Sequence, residues 1–169
     1  MRLKEIITPE AVIPKLKATE RDDAIMEILD HLAEAKRISP GQKEELMVEF
    51  LKREALGTTA IGHAVAIPHV KTDKVREFVG ALAISRAGVE FTLDEPPVHV
   101  IFLFLSPKAA VSGHLKLLAS IGGILRHESY IKSLREAKER DDLVELIRDA
   151  EKMLFGDQNG KGDKDEVTS

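Results

Sequence analysis

Between residues 20 and 37 the apolar side chains Ala24, Ile25, Ile28, Leu29, Leu32 and Ala33 recur at helical spacing, with Asp, Glu and Lys between them. Thr19 stands at the N-cap position and Asp22 three residues later, so a first helix is expected here. A second is expected from Ser39-Pro40-Gly41-Gln42. There serine can cap, proline suits the first helical position and glutamine completes a capping box. Its apolar positions are Leu46, Met47, Phe50 and Leu51. The short connection makes the two helices an antiparallel pair.

The pattern changes between Ala55 and His63, where Gly57, Thr58, Thr59 and Gly62 mark a loop rich in backbone donors and hydroxyls. An apolar run, Ala64-Val65-Ala66-Ile67, follows and is closed by Pro68 and His69. Two further strand-like runs, Phe78 to Ser85 and Val98 to Ser106, flank a turn-rich stretch holding Asp94, Pro96 and Pro97. Such near-continuous apolar strands belong in a sheet covered on both faces.

Ser112 can cap a third long helix with Leu115, Leu118, Ala119, Ile121 and Leu125 as its apolar positions. A turn or two of helix is expected around Ile131 and Leu134. A last helix from about Asp141 would bury Leu143, Leu146, Ile147, Ala150 and Leu154. The polar, glycine-containing end, residues 156–169, reads as a disordered tail. Helices, then strands, then helices give an α/β domain over residues 1–155, with a central mixed sheet flanked by helices on both faces. The strand order stays open.

Composition narrows the function. A chain of 169 residues, 43% hydrophobic and 32% charged, suits one globular domain with a real core. A net charge of -4, with both signs interleaved, gives no overall pull toward nucleic acid or an anionic membrane. Without cysteine there is no disulfide, thiolate nucleophile or Cys-ligated metal. The opening MRLKEIITPE lacks the apolar core of a secretory signal. The run Val98 to Leu105 is broken by His99 and too short to span a bilayer. Cytoplasm is the expected compartment.

Six histidines, at 31, 63, 69, 99, 114 and 127, are the first candidates for chemistry. His31 and His127 read as surface residues, and His99 as a strand histidine with its bonds satisfied. None shows the i, i+4 helical pairing of a zinc hydrolase. His69 ends the apolar run, follows a proline that restricts the backbone, and sits beyond a glycine- and hydroxyl-rich loop. In open α/β sheets ligands gather outside strand ends. A neutral imidazole is nucleophilic near pH 7. Phosphoryl transfer asks mainly for positioning and nearby positive charge. Arg53, just before the loop, offers a guanidinium, and His114, near a helix N-terminus, offers a hydrogen-bond donor. Taken singly, the plainer roles are favoured: a strand-end imidazole, a helix-end cation and a surface histidine.

The stretch REALGTTAIGHAVAIPH, from Arg53 to His69, resembles the active-site signature of the type-2 enzyme IIA family. That family is the mannitol, fructose and nitrogen-regulatory branch of the bacterial phosphoenolpyruvate-dependent phosphotransferase system. HLKLLASIGGIL, from His114 to Leu125, is a second piece that resembles the family. The likeness covers residues 1–155. It implies that His69 is the phosphorylated histidine, that His114 assists by hydrogen bonding and that Arg53 stabilises charge. It also implies that Thr59 and Gly62 shape the pocket. The implied donor is phospho-HPr or an HPr-like domain and the implied acceptor a IIB component, with sugar uptake following and no metal or organic cofactor. One departure is Ala64, where the family often has glycine; alanine restricts positive φ.

Two other readings remain. In a nitrogen-type regulatory protein, phosphorylation of His69 would switch contacts with other proteins. A metal hydrolase would use His63, His69 and His114.

Overall fold

The computed structural model describes residues 2–168, and their side chains through residue 154. In chain order the elements are α1 (Leu3–Ile6), β1 (Val12–Ile13), α2 (Arg21–Glu34), α3 (Lys43–Ala55), β2 (Ala60–Gly62), β3 (Val65–Ala66) and β4 (His69–Thr72). There follow β5 (Val79–Val89), β6 (Val98–Pro107), α4 (Val111–Ile124), α5 (Glu128–Glu136) and α6 (Arg140–Thr168). The tail expected over 156–169 falls outside the residues whose side chains are described. Among the described residues no helix is long and apolar enough to cross a membrane.

The sheet is mixed, in the order β1-β5-β6-β3-β2. β6 runs antiparallel to β5 on one side. On its other side β3 and β4 lie parallel to it, one after the other. Side chains alternate across a strand, and β6 distributes its apolar residues accordingly. Ile101, Leu103 and Leu105 join a cluster with Ile25, Ile28, Leu29 and Leu32 of α2 and Leu46 and Phe50 of α3. Val100, Phe102 and Phe104 join the opposite cluster, with Leu117 and Ile121 of α4, Leu134 of α5 and Leu143 and Ile147 of α6. The sheet therefore separates two cores, and the expected α/β domain with helices on both faces is what forms.

Element starts differ from expectation for identifiable reasons. α2 begins after Glu20 rather than Thr19, and no side chain caps it. The preceding chain is held by tertiary bonds instead: Arg21 N–H reaches the Glu90 carbonyl, and Glu90 N–H reaches that of Thr19. A 3-10 turn, Pro40–Gln42, precedes α3, and Ser39 makes no capping bond. α4 starts at Val111, with Ala110 as N-cap, so Ser112 lies inside the helix. α1 and β1 are too short to leave a period in the sequence.

The largest departure concerns the run Ala64 to Ile67. It is no continuous strand ending at His69. His63 and Ala64 form a turn with φ of 54° and 65°, β3 holds only Val65–Ala66, and His69 opens β4. Ala64 thus occupies the left-handed region that costs a β-carbon roughly 1–2 kcal/mol.

Candidate functional site

β4 is set by its pairing with β6: His69 lies opposite Phe104, Val70 opposite Leu105 and Lys71 opposite Ser106. Val70 shares the core beneath α2 and α3. Alternation therefore sends His69 and Lys71 to the α4 face, beside Ser106. Thr72, with the parity of Val70, turns the other way and its hydroxyl donates to Glu49 of α3 at 3.0 Å.

The His69 ring donates from Nδ1 to the carbonyl of Ile67 at 2.7 Å. A carbonyl oxygen only accepts, so Nδ1 carries the proton and Nε2 keeps its lone pair. His114, in the first turn of α4 and only 5% exposed, bonds through Nδ1 to the Ser106 hydroxyl at 2.7 Å. The two imidazoles are neighbours, with centroids 5.4 Å apart and planes tilted by 49°. Arg53, in the last turn of α3, donates to the Gly57 carbonyl at 2.8 Å. Together they line an open hollow of about 680 Å³ with Lys52, Lys71, Leu56 and Leu115. Leu56 and Leu115 are 86% and 62% exposed, so its rim is apolar.

Electrostatics favour neutral rings. Burial holds the His69 pKa below its usual value and the Arg53 charge pushes the same way; the Ile67 bond opposes both. Burial, then His69 and Lys71, lowers His114 to about 4 from the ordinary 6.5. Between those values the unfolded chain binds more protons than the folded one. The stability contribution of a neutral His114 is thus complete above the unfolded pKa and drains away as pH falls toward the folded one. Allowing for solvent in the hollow, the loss is about 2 kcal/mol. Urea unfolding at about pH 7 and pH 4.5 should show a smaller acid loss in His114→Gln than in wild type by that amount. Equal acid losses would contradict it.

Arg53, His69 and His114 are brought together. Thr59 and Gly62 are placed elsewhere. Thr59 is buried, and both its hydroxyl and its N–H donate to the Glu54 carboxylate. Gly62, with φ of 88°, ends β2 and leads into the His63–Ala64 turn. Neither lines the hollow. His63 faces Glu128 at 3.8 Å over a different hollow, apart from His69 and His114. Among the described residues no group of three His, Asp or Glu is placed to hold a metal ion. His99 donates from Nδ1 to the Ser85 carbonyl at 2.7 Å, a satisfied strand histidine.

Three polar contributors escaped the sequence reading: Lys71, Ser106 and Glu54. Lys71 stands two residues after His69, and i, i+2 on one strand face would have revealed it had β4 been foreseen. Glu54 carries another signal, an acid in the last helical turn where the dipole disfavours it.

A strand-opening imidazole paired with a second at a helix start, beside a guanidinium, belongs to a mixed α/β domain of a known kind. Residues 5–150 match the family model described as "Phosphoenolpyruvate-dependent sugar phosphotransferase system, EIIA 2", and the chain belongs to that family. It is similar to the nitrogen regulatory protein of Bradyrhizobium diazoefficiens, 36% identical over 149 residues, 87% of this chain and 95% of that protein. It is also similar to the fructose-specific EIIA component of the phosphotransferase system of Haloferax volcanii. That identity is 30% over 143 residues, 83% of this chain and 92% of the relative. Among solved structures, the nitrogen regulatory protein IIA-Ntr from Neisseria meningitidis gives a TM-score of 0.77. Its sequence identity is 25%, over 86% of this chain and 98% of that one.

Proposed function

We propose that His69 Nε2 accepts a phosphoryl group from phospho-HPr, or an HPr-like domain, and passes it to a IIB component of a sugar phosphotransferase system. The observation that carries this reading is the 2.7 Å bond from Nδ1 to the Ile67 carbonyl, which leaves Nε2 unprotonated in the hollow. Attack by that lone pair forms the Nε2–P bond as the donor's P–N bond breaks and its electron pair returns to the donor's ring nitrogen. The His69 ring keeps Nδ1–H and leaves the step as an imidazolium bearing the phosphoryl group. Arg53, with Lys52 and Lys71, which line the hollow together with Glu49, offsets charge on the phosphoryl oxygens. In this reading the Ser106 hydroxyl, 2.7 Å from His114 Nδ1, is the donor, which places the His114 proton on Nε2 for a bond to a phosphoryl oxygen. The exposed Leu56 and Leu115 supply the apolar rim against which a carrier protein docks. This relay calls for no metal or organic cofactor and operates in the cytoplasm.

The test is incubation with phosphoenolpyruvate, enzyme I and HPr, followed by mapping of the label. Acid-labile phosphate on Nε2 of His69 is the expected result. Label on another residue, or none, defeats the proposal.

A second reading, a nitrogen-type regulator, is favoured by the 36% identity to a nitrogen regulatory protein over most of the chain. The same phosphorylation would add about two negative charges between Leu56 and Leu115, enough to switch a docking surface. Capture of a IIB protein favours transport; capture of a kinase or channel favours regulation.

A further inference from the structure

Glu54 is the only buried carboxylate among the described residues, 5% exposed, and it forms no ion pair among them. A charge so placed is costly unless its oxygens are well bonded. Here both are taken by one residue: the Thr59 N–H donates to Oε2 at 3.1 Å and the Thr59 hydroxyl donates to Oε1.

The bonds do not stop at Thr59. Its carbonyl accepts the Ile67 N–H at 3.0 Å. The Ile67 carbonyl in turn accepts Nδ1–H of His69 at 2.7 Å. Glu54, Thr59, Ile67 and His69 are therefore linked in series. The N–H and C=O of Thr59, like those of Ile67, lie on separate peptide groups either side of a Cα, so the series fixes position rather than passing polarisation. Histidines are commonly oriented by a carboxylate on the far ring nitrogen; in this protein the carboxylate acts at one remove, through a backbone segment. Arg53, the preceding residue, holds the Gly57 carbonyl, so the last turn of α3 grips the loop at both ends.

We propose that Glu54 is a positioning residue: through Thr59 and the Ile67 carbonyl it holds His69 in the Nδ1–H form with Nε2 facing the hollow. Its negative charge also works against the burial that depresses His69 basicity. The proposal rests on His69 as phosphoryl acceptor and names a residue that sets its state.

The readout is the tautomer of His69 in the full chain, measured from long-range proton–nitrogen couplings of the imidazole. Wild type is expected to be almost wholly Nδ1–H. In Glu54→Ala the Nε2–H form should rise to about a third or more. Phosphoryl acceptance should fall about 10- to 100-fold in kcat, with KM for the phosphodonor carrier within about twofold. An Ala variant that folds and keeps the wild-type tautomer ratio overturns the proposal, even if its activity falls. Should that variant not fold, Thr59→Val, which removes the hydroxyl and keeps the N–H, carries the test. It should shift the ratio in the same direction by less, and an unmoved ratio again overturns the inference. The ratio is read without phosphate, so the two readings fail separately. No label on wild-type His69 removes the acceptor role, while a fixed ratio removes only the Glu54 relay.

Discussion

His69→Ala is expected to abolish phosphoryl acceptance, by at least about 10³-fold, while the folded state loses no more than about 1 kcal/mol. The nucleophile disappears with the ring. His114 cannot replace it: it is 5% exposed and tied to Ser106, with its ring centroid 5.4 Å from that of His69. The stability cost is small because His69 is only half-buried and makes one hydrogen bond, to the Ile67 carbonyl. Radiolabelling by phosphoenolpyruvate, enzyme I and HPr, read beside urea midpoints, checks both halves. Undiminished labelling of a folded variant would end the relay assignment.

Phe104→Ala should produce the largest loss of stability, about 3–5 kcal/mol. The ring is fully buried in the core beneath α4, α5 and α6, stacked near Phe102 at 6.2 Å. Opposite it on β5 lies Gly80, where a β-carbon would stand 2.7 Å from the Phe104 ring and 3.1 Å from Ile6. The glycine is the recess that the ring fills. Truncating the ring therefore leaves a void with no neighbouring side chain able to close it. Gly80→Ala should be strongly destabilising in wild type and much less so with Phe104→Leu, a coupling visible in a double-mutant cycle. Additive effects would show that the two residues do not share space. Because His69 pairs with Phe104 across the strands, Phe104→Ala should also slow phosphoryl acceptance, whereas Gly88, at the far end of β5, lies away from it.

Much of the frame was legible in order. The stripes of α2 and α3 and those of the terminal helices each bury against one face of the sheet, while β5 and β6, covered on both faces, read as continuous apolar runs, so the pattern records the burial. The third long helix was less faithful. Leu115 looked like part of its buried face, yet it is exposed at the hollow, while His114 is buried one position earlier. The bond from His114 to Ser106 sets the rotation of that helix start, and a hydropathy pattern carries no trace of it. The loop before His69 is bonded in a way that no local pattern records. The resemblance implied that Thr59 shapes the pocket; its hydroxyl and N–H both go to Glu54, and it does not line the hollow.

By itself the sequence determined which segments must be covered, that they form an α/β domain, and which three side chains, Arg53, His69 and His114, were worth watching. The covered segments and the domain class follow from local spacing. The three side chains rise above their plainer roles only through the resemblance of REALGTTAIGHAVAIPH and HLKLLASIGGIL to the enzyme IIA family. Only the tertiary structure decided that β4 lies beside the end of β6, which brings His69, Lys71 and Ser106 to one face. It also decided which ring nitrogen is free, because that depends on the Ile67 carbonyl two residues away and on a turn at His63 and Ala64. Strand pairing and hydrogen-bond direction are set by distant groups competing for the same partners, and such competition has no period to read.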